Sequence, residues 1–171
     1  LLSGAVGGMI AFFPDQPRLL LMLPVALFVR MALNAIDGMM AREHDMKTTL
    51  GAVLNEVGDV VSDAALYLPL ALVGGFRQWI VVLVVVAAAI GEMTGVLMAQ
   101  LGASRRYDGP MGKSDRALVF GAVALLLGLG VPPGGWLDAV LWIVFVLAVL
   151  TIVNRAQRGL AEPTGPDEPP C

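Results

Sequence analysis

Asn34 and Asp37 stand three residues apart, and Asn55, Asp59 and Asp63 follow one another at intervals of four. On a helix the first pair shares a face. Each step of four turns through about 40°, so the other three fall within about 80° of arc. The stretches around them are strongly apolar, and an ionisable group in lipid costs a few kcal/mol. The two polar faces are joined by a ten-residue polar loop, 41–50. They are therefore expected on adjacent antiparallel helices, converging at one end. Oxygen-bearing side chains that converge without a local excess of lysine suit a hard divalent cation such as Mg2+ or Mn2+. Hydrogen bonding between helices, with Arg30 paired to Asp37 or Asp59, accounts for the same residues without a metal. Gly38, Ala41, Gly51, Ala52 and Gly58 accompany them, and small residues let a helix or a nucleotide approach the backbone closely.

The elements that must carry these groups are apolar. The 171 residues are 57% hydrophobic and 15% charged, with a mean hydropathy of +0.79. A soluble domain has roughly 45–50% apolar and about 25% charged residues. This composition excludes a disordered chain, a disulfide scaffold (Cys171 is the sole cysteine) and, at a net charge of −3, a nucleic-acid binder. The pattern predicts an all-α polytopic membrane protein with six transmembrane helices over 1–13, 18–40, 51–73, 79–101, 116–130 and 136–153. The first is short, because 13 residues of helix cover only about 20 Å of a roughly 30 Å core. It is expected to be the remainder of a helix whose start lies outside this numbering. A signal peptide would need a basic stretch before it and a small-residue cleavage site after it. The organisation expected is a transmembrane domain over 1–158 and a Pro-rich, acidic, disordered cytoplasmic tail over 159–171. No internal repeat is visible.

Lysine and arginine give the orientation. Arg42, Lys47, Arg105, Arg106, Lys113, Arg116, Arg155 and Arg158 fall on one side, and only Arg18 and Arg77 on the other. The loops 41–50 and 102–115 and the C-terminus are thus expected in the cytoplasm, with Arg155 and Arg158 as stop-transfer anchors. Trp79, Trp136 and Trp142 read as interfacial belt residues. The nine methionines read as filler, and His44 as an exposed loop residue.

The run Asn34-x-x-Asp37-Gly38-x-x-Ala41-Arg42, eight further residues, then Gly51-x-x-x-Asn55-x-x-x-Asp59 resembles the signature of the CDP-alcohol phosphatidyltransferases. That signature is D-x-x-D-G-x-x-A-R-x8-G-x-x-x-D-x-x-x-D. Every spacing agrees, and both departures are Asp to Asn. The resemblance implies an integral-membrane transferase of phospholipid biosynthesis. It would move a phosphatidyl group from a CDP-linked lipid donor to the hydroxyl of a small alcohol acceptor and release CMP. It further implies Asp37 and Asp59 as ligands of Mg2+ or Mn2+, with Asn34, Asn55 and Asp63 as the other candidates. Asp59 would be the general base. Gly38, Ala41, Arg42 and Gly51 would lie along the CDP. A homodimer in a bacterial inner membrane, its active site facing the cytoplasm, belongs to the same implication. With amides at 34 and 55 the site loses two negative charges, so weaker or single-metal binding is expected.

The loop 102–115 and the residue after it bring Arg105, Arg106, Lys113 and Arg116 together. Relatives often place basic residues there for an acceptor or lipid phosphate, and Arg105, Arg106 and Lys113 are assigned that role. Anchoring to anionic headgroups explains them equally. Glu92, within a span, resembles a glutamate of some relatives and is expected to orient Arg105 or a pocket residue; a pair with another buried polar group accounts for it as well. Two other readings stay open: a catalytically silent relative that binds CDP-lipid, and a small transporter that passes ions along Asp59, Asp63 and Glu92.

Overall fold

The computed structural model describes residues 1–43 and 48–162. His44 and Cys171, singled out above, lie outside the described residues. Six helices carry the fold: α1 Leu2–Phe12, α2 Met22–Glu43, α3 Thr49–Tyr67, α4 Gln78–Gln100, α5 Lys113–Gly128 and α6 Gly135–Ala161. No strand occurs among the described residues. Three stretches are long and apolar enough to cross a membrane by themselves, Pro17–Asp37, Gln78–Gln100 and Gly135–Ala161. α1 and α5 have only 11 and 16 residues, and α3 carries the polar row of Asn55, Glu56, Asp59 and Asp63. The outward surface is apolar, with Val25, Phe28, Val57, Leu118 and Ile143 all exposed. That surface suits lipid rather than water. The protein is an integral membrane protein.

Local chemistry sets the helix ends. Thr48 accepts a hydrogen bond from the Gly51 N–H at 3.0 Å and so caps α3. Pro69 disfavours continued α-helix, and α3 stops at Tyr67 in favour of a 3-10 turn over Leu68–Leu72. At the start of α5 the Asp115 carboxylate accepts from the Gly112 N–H at 2.8 Å, which makes Lys113 the first residue of that helix. The expected span began only at 116. α6 runs on to Ala161, past the expected span end at 153, because its last turn is still packed: a Cβ on Gly159 would lie 2.4 Å from the Met98 side chain of α4.

α4 packs along α6, α2 against α5, and α1 against α3. α2 and α3 are adjacent and their polar faces converge, as expected, but among the described residues they are not a closely packed pair: long polar side chains and a cavity occupy the space between them. α1 holds α3 in place at Gly7, where a Cβ would come within 1.8 Å of the Ala65 carbonyl oxygen. The core is aliphatic, with Leu23, Leu66, Leu70, Ile80, Val84, Ala124, Leu137 and Leu141 buried. Tyr67 of α3 stacks on Phe120 of α5 with ring centroids 4.4 Å apart. At the end where α4 and α6 begin, Trp79 meets Trp142 edge-on at 5.5 Å, and Arg77 pairs with Asp138 at 2.7 Å.

Candidate functional site

The opposite end, where α2 finishes and α3 begins, holds the polar groups. An open cavity of about 850 Å³ lies between those helices. Asn34 and Asp37 of α2 and Gly51, Asn55 and Asp59 of α3 line it together, with Arg30 and Thr48. Apolar side chains, Leu33 and Leu54 among them, complete the wall. α2 also carries Gly38, Ala41 and Arg42 within its last two turns.

Asp59 is the most heavily engaged group on the wall. Asn34 donates its amide N–H to Asp59 Oδ1 at 3.0 Å. Arg30 contacts the same oxygen at 3.2 Å and also donates to the Asp59 carbonyl oxygen at 2.9 Å. Lys113 reaches over from the start of α5 and its ammonium donates to Asp59 Oδ2. Asp37 is exposed to the cavity. The wall thus offers two carboxylates and two amides on facing helices. All can present oxygen, the donor a hard divalent cation prefers. Among the described residues no three His, Cys, Asp or Glu side chains gather as a metal cluster. The residues fit such a cation with two carboxylates and no more.

Asp63, expected among the ligands, lies one turn deeper and is not part of the cavity wall. Its carboxylate is buried between Arg30 and Arg116, the latter at 2.9 Å. From there a chain of ion pairs crosses the bundle. Arg116 also contacts Glu92 at 3.0 Å, and Glu92 contacts Arg155 at 3.3 Å. The series Arg155–Glu92–Arg116–Asp63–Arg30–Asp59–Lys113 links α6, α4, α5, α3 and α2. The Arg116 and Arg155 side chains are each only 2% exposed. Arg155 donates to the Gly91 carbonyl oxygen at 2.6 Å and to that of Asp108 at 3.2 Å.

One expectation is corrected and two are met in part. Arg155 is not a stop-transfer anchor at the headgroups but a buried tie between α6 and α4. Glu92 pairs with other buried polar groups, Arg116 and Arg155, and not with Arg105. Of the two partners expected for Arg30, Asp59 is met and Asp37 is not, and Asp63 joins it. Glu92 interrupts an apolar run and so could have been singled out, whereas Arg116 and Arg155 stand at the polar edges of theirs. Their partners are distant in sequence, however, and no local spacing announces them.

The remaining loop cations are also placed. Arg105 pairs with Glu56 and lies 4.8 Å over the Tyr107 ring. Arg106 bridges Asp108 at 2.8 Å and Glu162 at 2.9 Å, and Arg158 pairs with Asp108 at 2.6 Å. The hydrogen bond from Arg158, with Arg106 beside it, holds the Asp108 carboxyl below the ordinary carboxylate range.

Comparison with known proteins bears on the chain as a whole. The family model for CDP-alcohol phosphatidyltransferase matches residues 2–154. The inner membrane protein YnbA of Escherichia coli (strain K12) is 42% identical over 153 residues, which is 90% of this chain and 76% of that protein. Two crystal structures of phosphatidylinositol phosphate synthase (PgsA1) from Mycobacterium tuberculosis share the fold. The one in complex with manganese and citrate has a TM-score of 0.74 at 21% identity, covering 98% of this chain and 83% of that one. The one with CDP-DAG bound has a TM-score of 0.70 at 20% identity, covering 100% of this chain and 92% of that one.

Proposed function

The chain belongs to the CDP-alcohol phosphatidyltransferase family, and from that premise we propose how its cavity performs the family's reaction. It is a membrane transferase of phospholipid biosynthesis that moves a phosphatidyl group from a CDP-linked donor to an acceptor hydroxyl, releasing CMP, and it works with Mg2+ or Mn2+. The observation that carries the site assignment is the shared wall. Asn34 and Asp37 of α2 face the same cavity as Gly51, Asn55 and Asp59 of α3.

Asp37 and Asp59, with the amide oxygens of Asn34 and Asn55, would hold the divalent ion. When bound, that ion would neutralise the donor diphosphate and stabilise charge on the departing CMP. Asp59 takes the proton of the acceptor hydroxyl. A base needs only to be within hydrogen-bond reach of the proton it removes, and Arg30 and Asn34 fix this carboxylate in place. Gly38, Ala41 and Arg42 on the last turns of α2, and Gly51 opposite, lie along the cytidine part of the donor. Leu33 and Leu54 meet the lipid part, whose acyl chains stay in the bilayer. Asp63 acts as a positioning residue, because it holds Arg30 from behind. Arg105 and Arg106 border the acceptor side, where an anionic acceptor would draw them from Glu56 and Asp108. The working protein is a homodimer of the bacterial inner membrane, with this cavity and the C-terminus toward the cytoplasm.

The test is CMP release from CDP-diacylglycerol by the purified chain in mixed micelles, with Mn2+ and a panel of alcohols that includes phosphorylated ones. Release that needs metal and is lost in Asp59→Ala supports this reading. No release with any acceptor, together with ion flux in liposomes, would replace it with the transporter reading.

A further inference from the structure

Lys113 does not line the cavity, and no local reason explains why it reaches Asp59 on the cavity wall. It opens α5, a helix whose first turn is already tied by Asp115 to the Gly112 N–H, and carboxylates lie close by in sequence at Asp108 of the loop and Asp115 of the helix. Its ammonium nevertheless rests on Asp59 Oδ2, while Arg30 and Asn34 contact Oδ1. Both oxygens of the carboxylate central to the proposed site are therefore engaged, one of them by a lysine that is 23% exposed.

Charge decides what this arrangement can accept. The cavity wall and the ion-pair chain behind it hold four cations, Arg30, Lys113, Arg116 and Arg155. Against them stand four carboxylates, Asp37, Asp59, Asp63 and Glu92. Asn34 and Asn55 contribute none. Among the described side chains this ensemble is balanced before any ligand enters. One divalent ion, held by Asp37 and Asp59, then matches a diphosphate linkage, which carries one charge per phosphate. A further divalent ion would meet no third carboxylate on the described wall and would sit against an ammonium and a guanidinium. Like charges in contact repel, and the double charge of such an ion doubles the repulsion from each cation.

Resting on the transferase reading above, we propose that the Lys113 ammonium is a built-in cation of the active site. It supplies beside Asp59 the positive charge that a further metal ion would otherwise bring, so this chain binds a single divalent ion. Lys113 and that ion compete for Asp59, and the lysine weakens the ion's hold. The assignment differs from an acceptor-phosphate role, because it predicts an effect on metal binding with no substrate present.

The experiment titrates the full chain in nanodiscs with Mn2+ and follows the free-ion signal by electron paramagnetic resonance. The wild type binds one Mn2+. Lys113→Met still binds one, roughly tenfold more tightly, and Lys113→Arg returns to the weaker wild-type affinity. Asn34→Asp with Asn55→Asp and Lys113→Met raises the count to two. Two ions on the wild type overturn the proposal, and that measurement needs no variant to fold. An unchanged Mn2+ affinity in a monodisperse Lys113→Met protein overturns it as well. CMP release by the wild type alongside either of those results leaves the transferase reading intact and removes only this inference. The expected Mn2+ results without any CMP release keep Lys113 as the competing cation and count against the transferase reading instead.

Discussion

Replacing Glu92 by Ala tests whether the buried ion-pair chain holds the bundle together. Glu92 is the only carboxylate contacting Arg155 among the described residues and one of two contacting Arg116, at 3.3 and 3.0 Å. Both arginine side chains are 2% exposed, so neither can turn to water when the carboxylate is lost. Removing one partner of a buried pair strands the other charge and costs about 3–5 kcal/mol. For a chain of this size that corresponds to a melting point lower by roughly 6–20 °C. Glu92→Gln retains an acceptor without the charge and should cost about 1.5–3 kcal/mol, the worth of a hydrogen bond to a charged group. The control is Arg77→Ala at the other end of the bundle. The Arg77 side chain is 60% exposed, and an exposed pair contributes about 0–1 kcal/mol. Differential scanning fluorimetry in a fixed detergent compares the three. Equal losses for Glu92→Ala and Arg77→Ala would refute the claim that burial, not pairing alone, sets the energy.

Further outcomes follow from the same geometry. Asp59→Asn should lower CMP release by about 10²–10⁴-fold, the range for a lost general base, measured with labelled CDP-diacylglycerol at saturating Mn2+. Asn34→Asp with Asn55→Asp should tighten Mn2+ binding, and a double variant that binds no better than the parent would show the charge argument to be wrong. Gly7→Ala should lower stability by about 1–3 kcal/mol, the usual cost of overpacking, because the new methyl meets the Ala65 carbonyl. Gly8→Ala, with nothing within 4 Å, should not lower it in the same melting experiment. The Asp108 clamp has a depressed folded-state carboxyl. Its contribution is therefore fully present above the ordinary carboxylate range, near pH 4, and is lost as pH falls through the lower folded value. Exchange protection of loop amides, corrected for intrinsic rates, should hold from pH 8 to 5 and fall only in stronger acid.

Much of this architecture was legible from residue order. Six apolar segments became six helices. The polar rows were legible too, because intervals of three and four fix a helix face regardless of tertiary context. Asn34 and Asp37 meet Asn55 and Asp59 across one cavity for that reason. What stayed hidden was everything decided by partners far apart in the chain. Arg155 reads as an anchor because it follows an apolar run, yet its location beneath the loop carbonyl of Asp108 depends on how α4 and α6 pack. Lys113 reads as a loop cation until the α5 terminus is seen beside Asp59. The adjacency of α2 and α3 was legible, and the gap between them was not. A short connection sets sequence proximity, but Arg30 and Asn34 need room between the helices they bridge.

The mixed lining of the cavity, carboxylates and amides beside Leu33 and Leu54, bears on how the reaction must be counted. A donor that arrives sideways through such a wall never passes through bulk solution. Its relevant concentration is molecules per unit of surface. Adding inert lipid at constant donor amount then slows turnover, and adding it at constant mole fraction does not. The upstream supply of donor and the area of its leaflet, rather than the volume of the cell, would then set the flux that this protein can carry.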